Sequence, residues 1–201
     1  MRIFGLQRAG VEDIKPGAIL DQRLFIGLNL DYVKFENVSL KGATFLGCTM
    51  VKADLSELRL SEAVFDQCDL CHANFRCSVL DEAEFIDCDL DDTNFSRCNM
   101  RDVNIDTCSL ERANMYGVIL CGATLFKVNL VGAGLESAHL DNVDAEKLDL
   151  YGATLSFNYM NNGLYEYLLS LGAKVENVQL ICDGGRYCPF RDKSDNTDDK
   201  K

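Results

Sequence analysis

The chain has 201 residues, 47% of them apolar, and a formal net charge of −12 from 32 Asp and Glu against 20 Lys and Arg. That length suits one domain with a substantial core, and so acidic a balance argues against a phosphate-binding surface, because nucleic-acid binders carry a basic footprint. No apolar run approaches the roughly 18 residues of a membrane span, and no uninterrupted secretory h-region opens the chain.

A cytoplasmic location is therefore expected, and the 10 Cys read as reduced thiols rather than a disulfide framework. Residues 1–15 carry no regular pattern and are expected to form an N-terminal cap, with Ile3, Phe4, Leu6 and Ile14 covering the first layer of the core. Pro16-Gly17 marks the entry to a different regime.

From 20 to 160, every residue whose number divides by five is apolar. The series runs Leu20, Phe25, Leu30, Phe35, Leu40 and onward to Met160, and Ala145 is its one small member. At 47% apolar overall, chance agreement over the series is on the order of 10^-10. Two residues before each of these sits mostly Ala, Cys, Val, Ser or Thr, and a polar residue lies between. Two apolar slots in five fit neither a 3.6-residue helix nor a two-residue strand alternation. They fit a chain that turns a corner every five residues, with both apolar slots pointing inward. Four such corners close a coil of 20 residues, and stacked coils pair their backbones at about 4.8 Å.

Runs such as Ala53-Asp54-Leu55-Ser56-Glu57 and Ala73-Asn74-Phe75-Arg76-Cys77 resemble the pentapeptide-repeat family. That resemblance implies an all-β solenoid, a right-handed quadrilateral β-helix of about seven coils over 16–160. Inside it, volumes alternate. Ala precedes Phe45, Phe65, Phe75 and Phe85, whereas Cys48, Cys68, Cys88, Cys98 and Cys108 precede Met or Leu. Cys48, Cys68, Cys88 and Cys108 are 20 apart and are expected to stack as small buried hydrophobes, not as a redox or metal column.

After Met160 the series stops. Asn161-Asn162-Gly163 offers a helix start and Gly172 a stop, and Leu164, Leu168 and Leu171 recur at helical spacing beside Tyr165. Residues 161–181 thus read as a short helix and strand. The stretch from Leu164 to Val175 is similar to the tail of the quinolone-resistance pentapeptide proteins, which implies a homodimer through Leu164, Tyr165, Leu168 and Leu171. A monomer's end cap fits the same residues equally well. Residues 182–201 read as a flexible tail, in which Cys182 and Cys188 are two thiols short of a zinc set.

Enzyme motifs are mostly absent: no phosphate loop, dinucleotide fingerprint, nucleophile elbow or paired-His zinc signature occurs. Cys71-His72 does not make a nucleophile, since neighbours at a corner do not aim at each other. No cofactor and no metal are expected. What remains is charge. Residues 16–160 hold 23 acids and 11 bases, which is the whole −12. Glu62, Glu82 and Asp102 are 20 apart, and Asp81, Asp87, Asp91 and Asp92 lie in the densest acidic stretch, so these seven form a candidate partner-binding face. A solvated face is the plain reading of such acids. The resemblance implies a sharper one, an acidic DNA mimic that binds DNA gyrase or topoisomerase IV without touching nucleic acid or membrane. If the chain binds gyrase, its unbroken series implies a closer resemblance to the loop-free mycobacterial branch than to the branch with projecting loops. The alternative is a protein-interaction scaffold for another partner.

Overall fold

A computed structural model describes residues 6–156, 159–173, 175–176 and 179–181. The chain winds as a parallel β-solenoid of about eight turns with four faces per coil. Face 1 is an eight-stranded parallel sheet of β1 (Gln7–Arg8), β2 (Arg23–Ile26), β3 (Thr44–Leu46), β4 (Val64–Asp66), β5 (Glu84–Ile86), β6 (Asn104–Asp106), β7 (Thr124–Phe126) and, beyond the two-residue β8 (His139–Leu140) of face 4, β9 (Asp144–Glu146). Its register advances by 20 residues per layer from β2 onward, as in Phe25 opposite Phe45 and Phe45 opposite Phe65. Faces 2, 3 and 4 are built mostly of single bridges in the same register, such as Asn29 with Thr49, Lys34 with Asp54 and Ile19 with Ser39.

Each corner has one requirement. Every residue whose number ends in 2 or 7, from Gly17 to Gly152, has a positive φ, and 20 of them are not glycine. At most corners this is the third position of a type II turn, closed for example by Ala53 N–H to Met50 O at 3.0 Å; the corners between faces 1 and 2, such as 45–48 and 65–68, bend without that bond. A side chain in that region costs about 1–2 kcal/mol. The stacked coils hold it there, because the amide of most such residues donates to the next coil, as Glu62 N–H does to Asp81 O and Glu82 N–H to Arg101 O, both at 2.8 Å.

Inside, the phenylalanines of faces 1 and 3 stack with their own column and meet the opposite one edge-on. Phe45 lies 5.0 Å from Phe65 at 4°, and Phe65 lies 5.7 Å from Phe75 at 90°. The cysteine column is buried, and its thiols also hydrogen-bond: Cys68 Sγ donates to Phe45 O at 3.4 Å and Cys88 Sγ to Phe65 O at 3.3 Å. Hydrogen bonding to Cys108 first, and burial as well, push the Cys88 thiol up to about 12, and burial pushes Cys98 up to about 12.

The rod continues past both ends of the five-residue series. Gln7–Arg8 extends face 1 by pairing with Arg23–Leu24, while Ile3 and Phe4 lie outside the described residues. At the other end, the column of face 1 narrows from Phe85 through Ile105 and Leu125 to Ala145, and α1 (Asn162–Ser170) occupies the vacated end. Asn161 caps that helix by accepting from Leu164 N–H at 2.8 Å. Gly172, at φ +77°, lets the chain turn out of it. The coil then resumes in step: Leu155 of β10 (Leu155–Ser156) pairs with Val175 of β12 (Val175–Glu176), and Met160 of β11 (Tyr159–Asn161) pairs with Leu180 of β13 (Gln179–Ile181). A cavity of about 20 Å³ remains where Ala145 faces Leu164 and Leu168. Its lining is wholly apolar. Among the described residues, no helix is long and apolar enough to cross a membrane.

Candidate functional site

Because the interior is filled by two slots in five, everything chemically distinctive about this chain is carried on the other three. These point outward, one near the middle of each face and two at each corner. The register of 20 assigns each outward residue to a column. Sorted in this way, the charge of the rod divides. Faces 1 and 2 with the three corners that bound them carry 19 acids and 7 bases between residues 16 and 160, a balance of −12. Faces 3 and 4 with the corner between them carry 4 acids and 4 bases. Faces 1 and 2 with their three corners, which for brevity are called the charged half, therefore hold the whole net charge, and the remaining two faces with the single corner between them are neutral.

All seven sequence-selected acids lie on the charged half, on three different corners. Glu62, Glu82 and Asp102 form one exposed column at the corner between faces 4 and 1, with half-buried Asp81 beside it. Asp87 stands at the corner between faces 1 and 2, and Asp91 and Asp92 at the corner between faces 2 and 3. Their surroundings differ. Lys41 Nζ lies 3.0 Å from Glu62 Oε1, and Arg112 Nη2 lies 2.8 Å from Asp92 Oδ2. The Arg112 hydrogen bond holds the Asp92 carboxyl below its usual value. Asp91 Oδ1 accepts from Ser109 Oγ and from Glu111 N–H, so it braces the next coil. Burial pushes Asp81 up, against the pull of Arg101. Among the described residues, Glu82, Asp87 and Asp102 make no ion pair.

Of the arginines nearest these acids in sequence, Arg59 and Arg97 lie on the neutral half. Arg101 lies in the Asp81 column, with Nη1 donating to Asn99 Oδ1 at 3.2 Å. The charged columns are thus interrupted at Arg101 but not by the other two. Sequence reasoning passed over a different set: Ile26, Leu46, Val64 and Ile86 occupy outward slots of face 1. Their column mixes apolar and acidic residues, with Ile26, Leu46, Ile86 and Phe126 interleaved with Asp66, Asp106 and Glu146, whereas Val64 lies in the neighbouring one.

One group of donors could bear on a metal. Asp69, Cys71 and Asp89 on face 2 bring their ligand atoms within 4.8 Å of one another. Burial, and then hydrogen bonding to Asp89 and Asp69, push the Cys71 thiol well above its usual value. Three donors are one short of a structural zinc set.

At the C-terminal end, Leu164 and Leu168 are buried in the rod's own core and Tyr165 packs against it. Leu169 and Leu171 remain outward, each 42% exposed.

A family model described as a pentapeptide repeat region matches residues 58–135, and one described as pentapeptide repeats (8 copies) matches 24–57 and 119–156. The matched positions run unbroken from 24 to 156. No curated protein matches the chain in sequence. Solved structures similar to it include a trypsin-treated form of QnrB1, a plasmid-mediated fluoroquinolone resistance protein. It is 19% identical, with 81% of this chain and 90% of that one covered and a TM-score of 0.39. Another is HetL, a pentapeptide repeat protein involved in heterocyst differentiation regulation from the cyanobacterium Nostoc, at 19% identity, 72% and 90% coverage and a TM-score of 0.26. A third is a pentapeptide repeat protein from the Arabidopsis thaliana thylakoid lumen, at 19%, 88% and 90%, and 0.24.

Proposed function

The chain belongs to the pentapeptide-repeat family, and on that premise we propose that it is a non-enzymatic binding protein whose acidic half imitates DNA. In this reading it occupies the basic DNA-binding groove of a type II topoisomerase such as DNA gyrase. The observation that carries the proposal is the division of charge, with −12 on faces 1 and 2 and the three corners that bound them, against a net of zero on faces 3 and 4 and the corner between them. Solubility alone asks for dispersed charge, whereas a surface read by one partner needs it on one side.

The density is of the right order. Over a rod of roughly 34 Å, built from layers about 4.8 Å apart, the acidic half presents about one net charge per 2.8 Å, against about one per 1.7 Å for duplex DNA. A filled interior offers no pocket for a substrate, which favours binding over catalysis. Within this reading Glu62, Asp81, Glu82, Asp87, Asp91, Asp92 and Asp102 contribute to the contact. A second copy would join tail to tail over the outward Leu169 and Leu171.

The test is a supercoiling and quinolone-cleavage assay with purified gyrase. The native chain should inhibit supercoiling or reduce drug-stabilised cleavage, and a variant carrying Glu62→Lys, Glu82→Lys and Asp102→Lys should not. No effect of the native chain on either reaction at micromolar concentration rejects the topoisomerase reading and leaves the scaffold for another partner.

A further inference from the structure

On face 4 and the corner between it and face 1, three outward residues are buried. Ile119 is 7% exposed, and Cys121 and Asp141, stacked at the corner, are 8% and 4% exposed. The neighbours in the same two columns are only half-buried: Val79, Asn99 and His139 in one, Ser61, Asp81 and Arg101 in the other. Those residues are stacked between coils in the same way, so stacking does not account for the burial. Among the described residues, the strands and α1 build the rod or close its end, and none crosses the outside of face 4.

We propose that the chain after Ile181 folds back over face 4, and that its stretch Arg186-Tyr187-Cys188-Pro189-Phe190-Arg191 docks on Ile119, Cys121 and Asp141. Residues 182–201 lie outside the described residues, and three observations single them out as the occupant. The first is where the described chain ends. Ile181 of β13 pairs with Asn161, which follows in register on Asp141, so the segment starts on this corner, two coils from Asp141 and three from Cys121. At about 4.8 Å per coil these are about 10 and 14 Å. The second is reach. The six residues from 182 to Tyr187 span about 20 Å when extended, and Gly184-Gly185 supplies the turn back along the rod. The third is chemistry. Tyr187, Pro189 and Phe190 are the apolar part of an otherwise polar tail and suit Ile119 and Cys121, while Arg186 and Arg191 flank them and Asp81, Glu82 and Asp102 share the corner. A second copy is the poorer occupant, because each copy carries −12. A basic partner drawn to Glu82 and Asp102 must displace the segment first, so the docking also regulates that face. This last step rests on the reading of the acidic half as a partner surface; the docking does not.

Cys121 is the reporter. In the native full-length chain at pH 8, mass-spectrometric mapping with a thiol reagent should leave Cys121 unlabelled while Cys77 reacts. In the full-length variant Tyr187→Ser with Phe190→Ser, Cys121 should label at least about tenfold faster. Cys48, Cys68, Cys88, Cys98 and Cys108 should stay silent in both, which certifies the folded rod. Equal labelling of Cys121 in the two proteins, or fast labelling in the native one, overturns the inference. Protection of Cys121 that is lost on dilution of the native chain assigns the cover to a second copy and also overturns it. With purified gyrase holoenzyme, the variant should inhibit supercoiling at a concentration about threefold lower than the native chain, and an unchanged concentration overturns the regulatory step. Opening of Cys121 with no inhibition by either protein supports the docking and rejects the topoisomerase reading.

Discussion

Replacing Ser78 with alanine removes a hydroxyl that joins two coils, and the structure gives its cost. Ser78 is 1% exposed. Its Oγ accepts from Leu58 N–H at 3.0 Å and donates to Leu55 O at 2.6 Å. At most corners outside the face 1–face 2 edge the chain closes this gap itself, as Ala53 N–H does to Met50 O. Here a side chain from the next coil is inserted in its place. Each buried backbone group left unbonded costs about 1–3 kcal/mol, and partial closing of the corner recovers some of it. Ser78→Ala should therefore cost about 2–4 kcal/mol. Ser78→Val restores volume but donates nothing and should be no better. Ser78→Cys should cost under about 1 kcal/mol, because Cys98, one coil on in the same column, already donates from Sγ to Phe75 O at 2.8 Å. Urea unfolding ranks the three, and hydrogen exchange supplies a local readout. In a solenoid each coil contacts only its neighbours, so the Leu58 amide should lose about a hundredfold of protection while distant layers keep theirs. A Val variant as stable as the native chain, or an unchanged Leu58 amide, refutes the bridge as the reason for serine at this position.

The thiols offer a second check. In native protein at pH 8, mass-spectrometric mapping with a thiol reagent should label Cys77 before Cys71, whose thiol is held protonated. Cys48, Cys68, Cys88, Cys98 and Cys108 should react only on unfolding; earlier labelling of any of the five contradicts the packed interior. For pH, Asp141 is 4% exposed, its Oδ2 has no hydrogen-bond partner, and burial raises its pKa above 3.8. A carboxyl raised on folding holds its proton more tightly in the folded state, so it costs stability above the folded value, and that cost vanishes as pH falls to the unfolded one. Asp141→Asn should therefore raise the urea midpoint at pH 7.5, by about 1–3 kcal/mol in free energy. The gain should shrink by pH 4.5, and a loss of stability at pH 7.5 would show that the carboxylate is wanted there.

The five-residue series was legible because a closed interior restricts the volume of each inward slot: every member from 20 to 160 is buried except Ala145, which is half-buried near the end of the rod. Its ends were not. Tyr165 and Ser170 break the series although Val175 and Leu180 resume it in register, because α1 spans the two faces that five-residue steps would have built. The cysteines were legible as packing but not as donors, since nothing in a one-dimensional pattern says which carbonyl of the previous coil a thiol will meet. For the site, stacking by 20 found the Glu62, Glu82 and Asp102 column. It did not show that Asp87, Asp91 and Asp92 stand on other corners of the same half. Nor did it single out Leu46, Val64 and Ile86, because an apolar residue in an outward slot looks like noise until its face is known.

A half-rod of one sign also makes a demand on the fold that can be measured without any partner. Unit charges about 4 Å apart in bulk water repel by about 1 kcal/mol before screening, and the column through Glu62, Glu82 and Asp102 repeats this from layer to layer. The ion pairs on the charged half, such as Lys41 with Glu62 and Arg112 with Asp92, are too exposed and too few to cancel it. Salt should cancel it instead, as the screening length falls from about 10 Å at 0.1 M toward about 3 Å at 1 M. The thermal midpoint should thus rise by a few degrees, roughly the 2–4 °C expected per kcal/mol in a chain of this size, between 0.05 and 0.5 M NaCl. Glu82→Gln with Asp102→Asn should raise it at low salt and flatten the dependence. A midpoint that falls with salt would mean that ion pairs outweigh repulsion and that the acidic half is already neutralised within the chain. A basic partner supplies the same relief as salt and competes with it, so salt should strengthen the free chain while weakening its complex. That opposition separates a surface kept charged for a partner from one kept charged for solubility, because the latter has no complex to weaken.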